Sequence, residues 1–342
     1  RGMALEHLSC DAAAIHRLFT PEAMEATRHF LRQAKAFAPA ITDADLFQAL
    51  RNVWVMHSVQ LLLGAEIALT PAVFAYSMLY PWTDNVLDNV QVGHEAKIEL
   101  GDWLALRLAG QAAPPPNAHC AQISALIGMI ERQYPRPEFP GVYFSLQAIH
   151  TAQMRSLAQQ NAAAADDEHW LLRLSIAKGG ASVLADAWLT RGSLTHEEAE
   201  FMFAYGVVLQ LMDDLQDLAD DLKHRHNTLF SRQAGLGALD ALTGRLWAFT
   251  QRALRVPCGS ASAPSDSVRL MIGENLRLML LQGVARHREC YTPSFLRSVE
   301  AASPVSFAYL ARQEASLRER YSKALRSVQR KRKLASAFEL LD

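Results

Sequence analysis

Cysteine is scarce. The four in 342 residues, Cys10, Cys120, Cys258 and Cys290, include no CxxC pair. That spacing excludes a disulfide framework or a thiolate zinc site and reads as ordinary reduced thiols. A surplus of one charge is also missing: 34 Lys and Arg face 35 Asp and Glu, for a net charge of −1. No global field therefore draws the chain to nucleic acid or to an anionic membrane. The apolar runs are all broken by polar residues before they reach the length of a membrane span. Arg1-Gly2 ahead of Met3 reads as an expression remnant, and no secretory pattern follows it, which points to a cytoplasmic protein. Val-Ile-Thr alternation is sparse, no internal repeat is evident, and no loop demands a domain boundary.

What remains is a helical signal along the whole chain. Leu and Ala dominate, and apolar spacings of three and four recur. The pattern predicts helices over 24–37, 45–79, 84–110, 119–132, 142–160, 168–190, 195–224, 235–254, 266–287 and 303–335. Between them lie QAAPPPNAH, YPRPEFPG and CGSASAPSDS, all rich in loop residues. With 50% apolar content the chain can bury a large core. The expected fold is one large all-α domain over 1–342, ending in a basic helix over about 303–335.

The segment LQLMDDLQDLADDL, 209–222, carries five aspartates. At 100° per residue, Val208, Leu211, Met212, Leu215, Leu218, Ala219 and Leu222 fall on one arc. Asp213, Asp214, Asp217, Asp220 and Asp221 fall opposite. The plain reading is a solvated face. Three features oppose it. Aspartate is a poor residue inside a helix. The pairs Asp213/Asp217 and Asp217/Asp221 each cost roughly 0.2–0.5 kcal/mol on an exposed helix. The lead-in FMFAYGVVL, 201–209, is apolar all round, so a buried helix runs straight into the acidic cluster. Carboxylates at a cavity mouth are tolerable when a cation neutralises them. Oxygen ligands of this kind suit Mg²⁺, completed by water and the oxygens of a bound phosphate.

A second acidic pair lies in YPWTDNVLDN, where Asp84 and Asp88 are four apart and share a helix face. Asp84 would equally serve as a helix cap. Lys178, in WLLRLSIAKGGASVLADAWL, is a lone cation in an apolar helix and a candidate for holding phosphate; snorkelling to water is its alternative role. Arg173 is a second candidate. Gly179 and Gly180 would allow close helix packing or make room for a ligand. Phe74, Tyr80, Trp82, Phe203 and Tyr205 lie near the acidic segments and read mostly as core.

Together these segments resemble the class I isoprenoid synthase superfamily, which includes trans-prenyl diphosphate synthases and terpene cyclases. YGVVLQLMDDLQDLADDL is similar to the second aspartate-rich region, with Gly206, Gln210, Asp213, Asp214 and Asp217 at the family spacing. IAKGGASVL resembles the Lys-Thr segment, with Gly179 where threonine is usual. TAQMRSL resembles the Gly-Gln segment, with Gln153 on the glutamine and Ala152 on the glycine. DNVLD resembles the first aspartate-rich region, with Asn85 in place of its second aspartate. The likeness covers residues 80–230, less than half of the chain.

The resemblance implies a helical bundle around a deep central cavity. Asp84 and Asp88 would face Asp213, Asp214 and Asp217 across its mouth and hold three Mg²⁺ ions on the diphosphate of a prenyl substrate. Lys178, Asp84 and Asp213 would be the catalytic residues, and Lys178, Gln153, Gln210 and Arg173 would contact substrate. The Gly-Gly-Lys and Arg-Pro segment of elongating enzymes is missing. NVQVGHEAK, 89–97, also lacks the arginine pair expected after the first aspartate region. A second diphosphate subsite is therefore not expected. The resemblance thus implies a synthase that ionises a single prenyl diphosphate. Condensation of two prenyl diphosphates and a non-catalytic helical protein are the alternatives. A homodimer follows by family analogy. RERYSKALRSVQRKRK, 318–333, is strongly basic but has no nucleic-acid motif beside it, so no nucleic-acid partner is expected. Peripheral membrane contact is left open by the apolar substrate.

Overall fold

The computed structural model describes residues 21–87, 89, 91–160, 167–256, 264–303, 306–310 and 312. These form helices throughout, and no strand occurs among the described residues. The helices are α1 (Pro21–Phe37), α2 (Asp43–Leu62), α3 (Pro71–Leu87), α4 (His94–Leu108), α5 (Ala118–Gln133) and α6 (Pro140–Ser156). They continue as α7 (Glu168–Arg191), α8 (His196–Gln216), α9 (Leu218–His224), α10 (Leu229–Leu236), α11 (Asp240–Ala253), α12 (Pro264–Arg286) and α13 (Pro293–Ala301). The expected all-α, single-domain bundle is what the chain adopts. Of the basic helix expected over 303–335, all but 303, 306–310 and 312 lies outside the described residues.

Two long helices expected from periodicity are each two, and a third begins later than expected. The helix expected over 45–79 breaks after α2. Gly64 takes a left-handed φ of 68°, and Pro71 opens α3. Gln60 braces the intervening loop by donating to the carbonyl of Ala68 at 2.9 Å and accepting from its N–H at 3.3 Å. The helix expected to begin at Asp84 instead begins at His94, behind Gly93. Asp84 belongs to the last turn of α3, which continues past an internal Pro81. The helix expected over 195–224 divides at Asp217, whose φ of −90° and ψ of 5° end α8 and start α9. Apolar period survives across each break, which is why the period alone did not mark it.

The termini of the central helices are well specified. Asp167 caps α7 through the N–H of Trp170. Gly192, with φ 76°, ends that helix in the left-handed region that glycine favours. Thr195 and Glu198 form a reciprocal capping box on α8, and Glu198 also pairs with Arg191 across the turn. So α7 and α8 make a tight antiparallel hairpin. At its centre Gly179 packs on Gly206: a Cβ at position 179 would lie 2.5 Å from the carbonyl oxygen of Gly206. The glycines of IAKGGASVL thus serve close packing, Gly179 against α8 backbone and Gly180 against Phe203.

Two apolar clusters flank this hairpin. One gathers Phe30, Val53, Met56, Phe74, Ile123 and Leu146 from α1–α6. The other gathers Met202, Val208, Leu215, Phe230, Ile272 and Val284 from the later helices. Helices α2 and α7 contribute to both, with Met56 and Ala185 in the first and Val59 and Val183 in the second. Polar residues of α2 and α7 therefore come together along the boundary between two cores. At the far side of the bundle, Arg107 makes a two-pronged bond to Glu131 at 2.6 Å, tying α4 to α5. No helix among the described residues is long and apolar enough to cross a membrane.

Candidate functional site

Tyr80 is the point where the two acidic segments converge. It projects from α3 and shares a 2.9 Å hydrogen bond with Ser182 of α7. Burial raises its phenol well above the usual range, and the carboxylates of Asp84, Asp186 and Asp213 all reinforce that shift. Asp84 from the first segment and Asp213 from the second therefore act on one hydroxyl. Each also lines its own cavity beside Tyr80. The first, about 70 Å³, is mainly apolar, with Leu79, Leu87, Leu104, Leu108, Leu146 and Ile149 beneath Asp84. The second, about 240 Å³, is the more polar of the two and lies between α2, α7 and α8, lined in part by Asp213.

Asp213 is solvent-exposed, yet its carboxyl is raised to about 6, first by desolvation. Arg51 opposes the shift, Asp217 reinforces it and Lys178 opposes it again. The carboxyl opens to water on one side and is backed by protein on the other, so exposure and an upward shift coexist. The charge of Lys178 acts on both Asp213 and Asp214, opposing the rise of their carboxyls. Arg51, from α2, lines this cavity with Asp213 and was not singled out by the sequence.

The helical wheel placed all five aspartates away from the core. Two of them are not there. Asp214 is buried, because α7 covers the face of α8 that a single-sided wheel leaves to solvent. Its oxygens accept from Gln210 at 2.9 Å and Ser175 at 3.1 Å. Burial still lifts its carboxyl to about 6. Asp221 is half-buried and is raised to about 7, by desolvation and then by Asp214. Asp217 and Asp220 are exposed. Asp88 lies outside the described residues.

The remaining candidates divide. Gln153 is buried beside Asp84, lines the apolar cavity, and its Nε2 has no protein partner. Gln210 lines the polar cavity and holds Asp214. Arg173 does not join them. Five residues from Lys178, it sits on another side of α7 and lines a separate surface groove with Phe144, Arg155 and Phe203. Asn85, standing where the resemblance leads one to expect aspartate, donates to Asp45 of α2 at 2.6 Å. An aspartate there would repel Asp45 rather than bond it.

Among the described residues, no three His, Cys, Asp or Glu side chains lie close enough to hold a metal ion by themselves. A Mg²⁺ site normally takes only one or two protein carboxylates and fills the rest with water and phosphate oxygens. Asp84, Asp213 and Asp217 fit that limited role. Desolvation is the first cause of the lifted carboxyls of Asp213, Asp214 and Asp221, a cost that a bound cation would offset.

One consequence concerns stability. Asp214→Asn keeps the side chain's shape and removes the buried charge: its Oδ1 still accepts from Gln210, while its Nδ2 donates to the Ser175 hydroxyl instead of accepting from it. A carboxyl raised in the folded state favours folding less as pH rises through the window between its unfolded value and about 6. The variant's advantage is therefore absent below about pH 4 and complete above about pH 6, at roughly 1–3 kcal/mol. Thermal melts from pH 4 to 8 measure it. An advantage independent of pH would show that Asp214 is not the strained group.

No protein-family model matches this chain, and neither does any curated protein or solved structure.

Proposed function

We propose that this protein is a Mg²⁺-dependent class I terpenoid synthase, which ionises a single prenyl diphosphate and releases pyrophosphate. One observation carries the reading: Asp84 and Asp213, from acidic segments far apart in the chain, both act electrostatically on Tyr80, and Arg51 and Lys178 both act on Asp213. Carboxylates and cations that act on one another in one region suit a ligand that brings both metal and phosphate.

Bound Mg²⁺ would supply Lewis-acid stabilisation of the departing diphosphate. Asp84, Asp213 and Asp217 would hold it, and Asp214 would fix the end of α8 that carries them. Lys178 and Arg51 hold the phosphate oxygens and stabilise the negative charge that grows there. The leucine-lined cavity beneath Asp84 takes the hydrocarbon and keeps water from it. Both cavities are smaller than the roughly 300–1,000 Å³ of ordinary ligand sites. The central cavity is therefore completed by movement of Tyr80, the side chain lining both. Tyr80 then gates the length of chain that enters.

The test is direct. The full chain is incubated with prenyl diphosphates of several lengths, with and without Mg²⁺ and with and without isopentenyl diphosphate. The expected result is Mg²⁺-dependent pyrophosphate release that needs no co-substrate. Release only with isopentenyl diphosphate would establish a condensing prenyltransferase instead. No release from any substrate would leave a non-catalytic helical protein.

A further inference from the structure

The more polar cavity carries groups that a hydrocarbon chain does not use. Asp186 lines it, two turns along α7 from Lys178, with only 1% of its surface exposed. Its Oδ1 has no hydrogen-bond partner in the protein, although Asn52 bonds the carboxyl. Ser182 and Tyr80 present their hydroxyls to the same space. Burial pushes the Asp186 carboxyl well above the ordinary carboxylate range. A buried oxygen without a partner costs free energy that an aliphatic side chain would avoid. The missing partner must come from the cavity. At about 240 Å³ the cavity is ample for water, whose share of liquid volume is roughly 30 Å³. It also offers the two to four polar partners that an ordered water needs.

We infer that this cavity holds a water molecule, anchored by Asp186, Asn52 and Ser182, that captures the carbocation, so that the product is a terpenoid alcohol. The inference rests on the ionising reading above and goes further by naming the product class. The bond between the allylic carbon and the diphosphate oxygen breaks with both electrons on oxygen. An alkene of the same chain attacks the allylic carbon and carries the positive charge to a remote carbon. The water oxygen forms a C–O bond there, and its surplus proton passes to the departed diphosphate. Asp186 Oδ1 accepts one O–H of the water and leaves a lone pair facing the cation. No oxidant or reductant is required. Along α7, eight residues at about 1.5 Å separate Asp186 from Lys178 by about 12 Å.

The experiment runs the reaction in ¹⁸O-water with Mg²⁺ and measures products per pyrophosphate released. The expected product carries one labelled oxygen on a carbon other than the one that bore the diphosphate. In Asp186→Leu the ratio of that alcohol to hydrocarbon falls at least tenfold, and Asp186→Asn restores it to within about threefold. Ser182→Ala lowers the ratio as well, and carries the test should Asp186→Leu fail to fold. Pyrophosphate release with only hydrocarbon, or only the linear primary alcohol of simple hydrolysis, overturns this inference and leaves the synthase reading standing. An unchanged ratio in Asp186→Leu overturns it too. Absence of pyrophosphate release from every substrate overturns both.

Discussion

Gly206→Ala lowers the stability of the protein by about 2 kcal/mol or more, and Gly244→Ala raises it. Helix propensity alone predicts the same sign for both, since alanine is favoured over glycine by about 1 kcal/mol in a helix interior. The neighbourhoods decide otherwise. A Cβ at Gly206 lands on the carbonyl oxygen of Gly179, in the backbone of α7, and close to Val183. A clashing side chain can rotate away, but a helix backbone can yield only by moving the whole α7–α8 contact. Overpacking typically costs about 1–3 kcal/mol, and an immovable partner puts this site at the upper end before the propensity gain is set against it. At Gly244 in α11 nothing lies within 4 Å of the added Cβ, so propensity acts unopposed. Thermal and denaturant unfolding of the two variants check this. Equal effects would mean that the two helices do not approach at these glycines. Because Asp213 stands on α8 and Lys178 on α7, any parting of the pair also separates the charged groups of the site.

That contact shows how far the sequence could be read. The segments around Lys178 and Asp213 were visible because their chemistry is local: a lone lysine in an apolar helix, and aspartates without basic partners. The likeness led to the expectation that Asp84 faces Asp213; in the fold the two line separate cavities and share an electrostatic effect on Tyr80, which as a residue type looked like ordinary core. Asp214 could not be placed, because a helical wheel assigns one buried face and α8 has two, one on α7 and one on α12 and α11. Arg51 and Asp186 went unnoticed for a different reason. Each is a single charged residue in a helix, and only tertiary packing makes one a rim cation and the other a buried acid. Breaks at Gly64, Gly93 and Asp217 were missed because the apolar period runs through them. Arg173 shows the opposite error: proximity in sequence to Lys178 suggested a shared role, and five residues of helix turned it to another surface.

The largest functional effect is expected from the two aspartates that meet at Tyr80. With Mg²⁺ and a prenyl diphosphate that the protein accepts, Asp213→Ala slows pyrophosphate release at least 10²-fold, and Asp84→Ala does so similarly. That magnitude matches the loss of one preorganised electrostatic contact to a developing charge, about 10²–10³-fold. The double variant is the sharper measurement. Two carboxylates that act on one ligand function as a unit, and residues of a unit lose activity non-additively. The double variant is therefore expected to fall within about tenfold of the slower single variant, far short of the product of the two effects. Carboxylates that served separate purposes would instead multiply. Asp220→Ala provides the contrast, since that side chain is exposed and lies beyond the break at Asp217. It should change release by less than threefold. If Asp84→Ala and Asp213→Ala also stay within threefold of the unaltered protein, the convergence at Tyr80 is packing alone. The metal assignment then fails, whatever the protein is found to turn over.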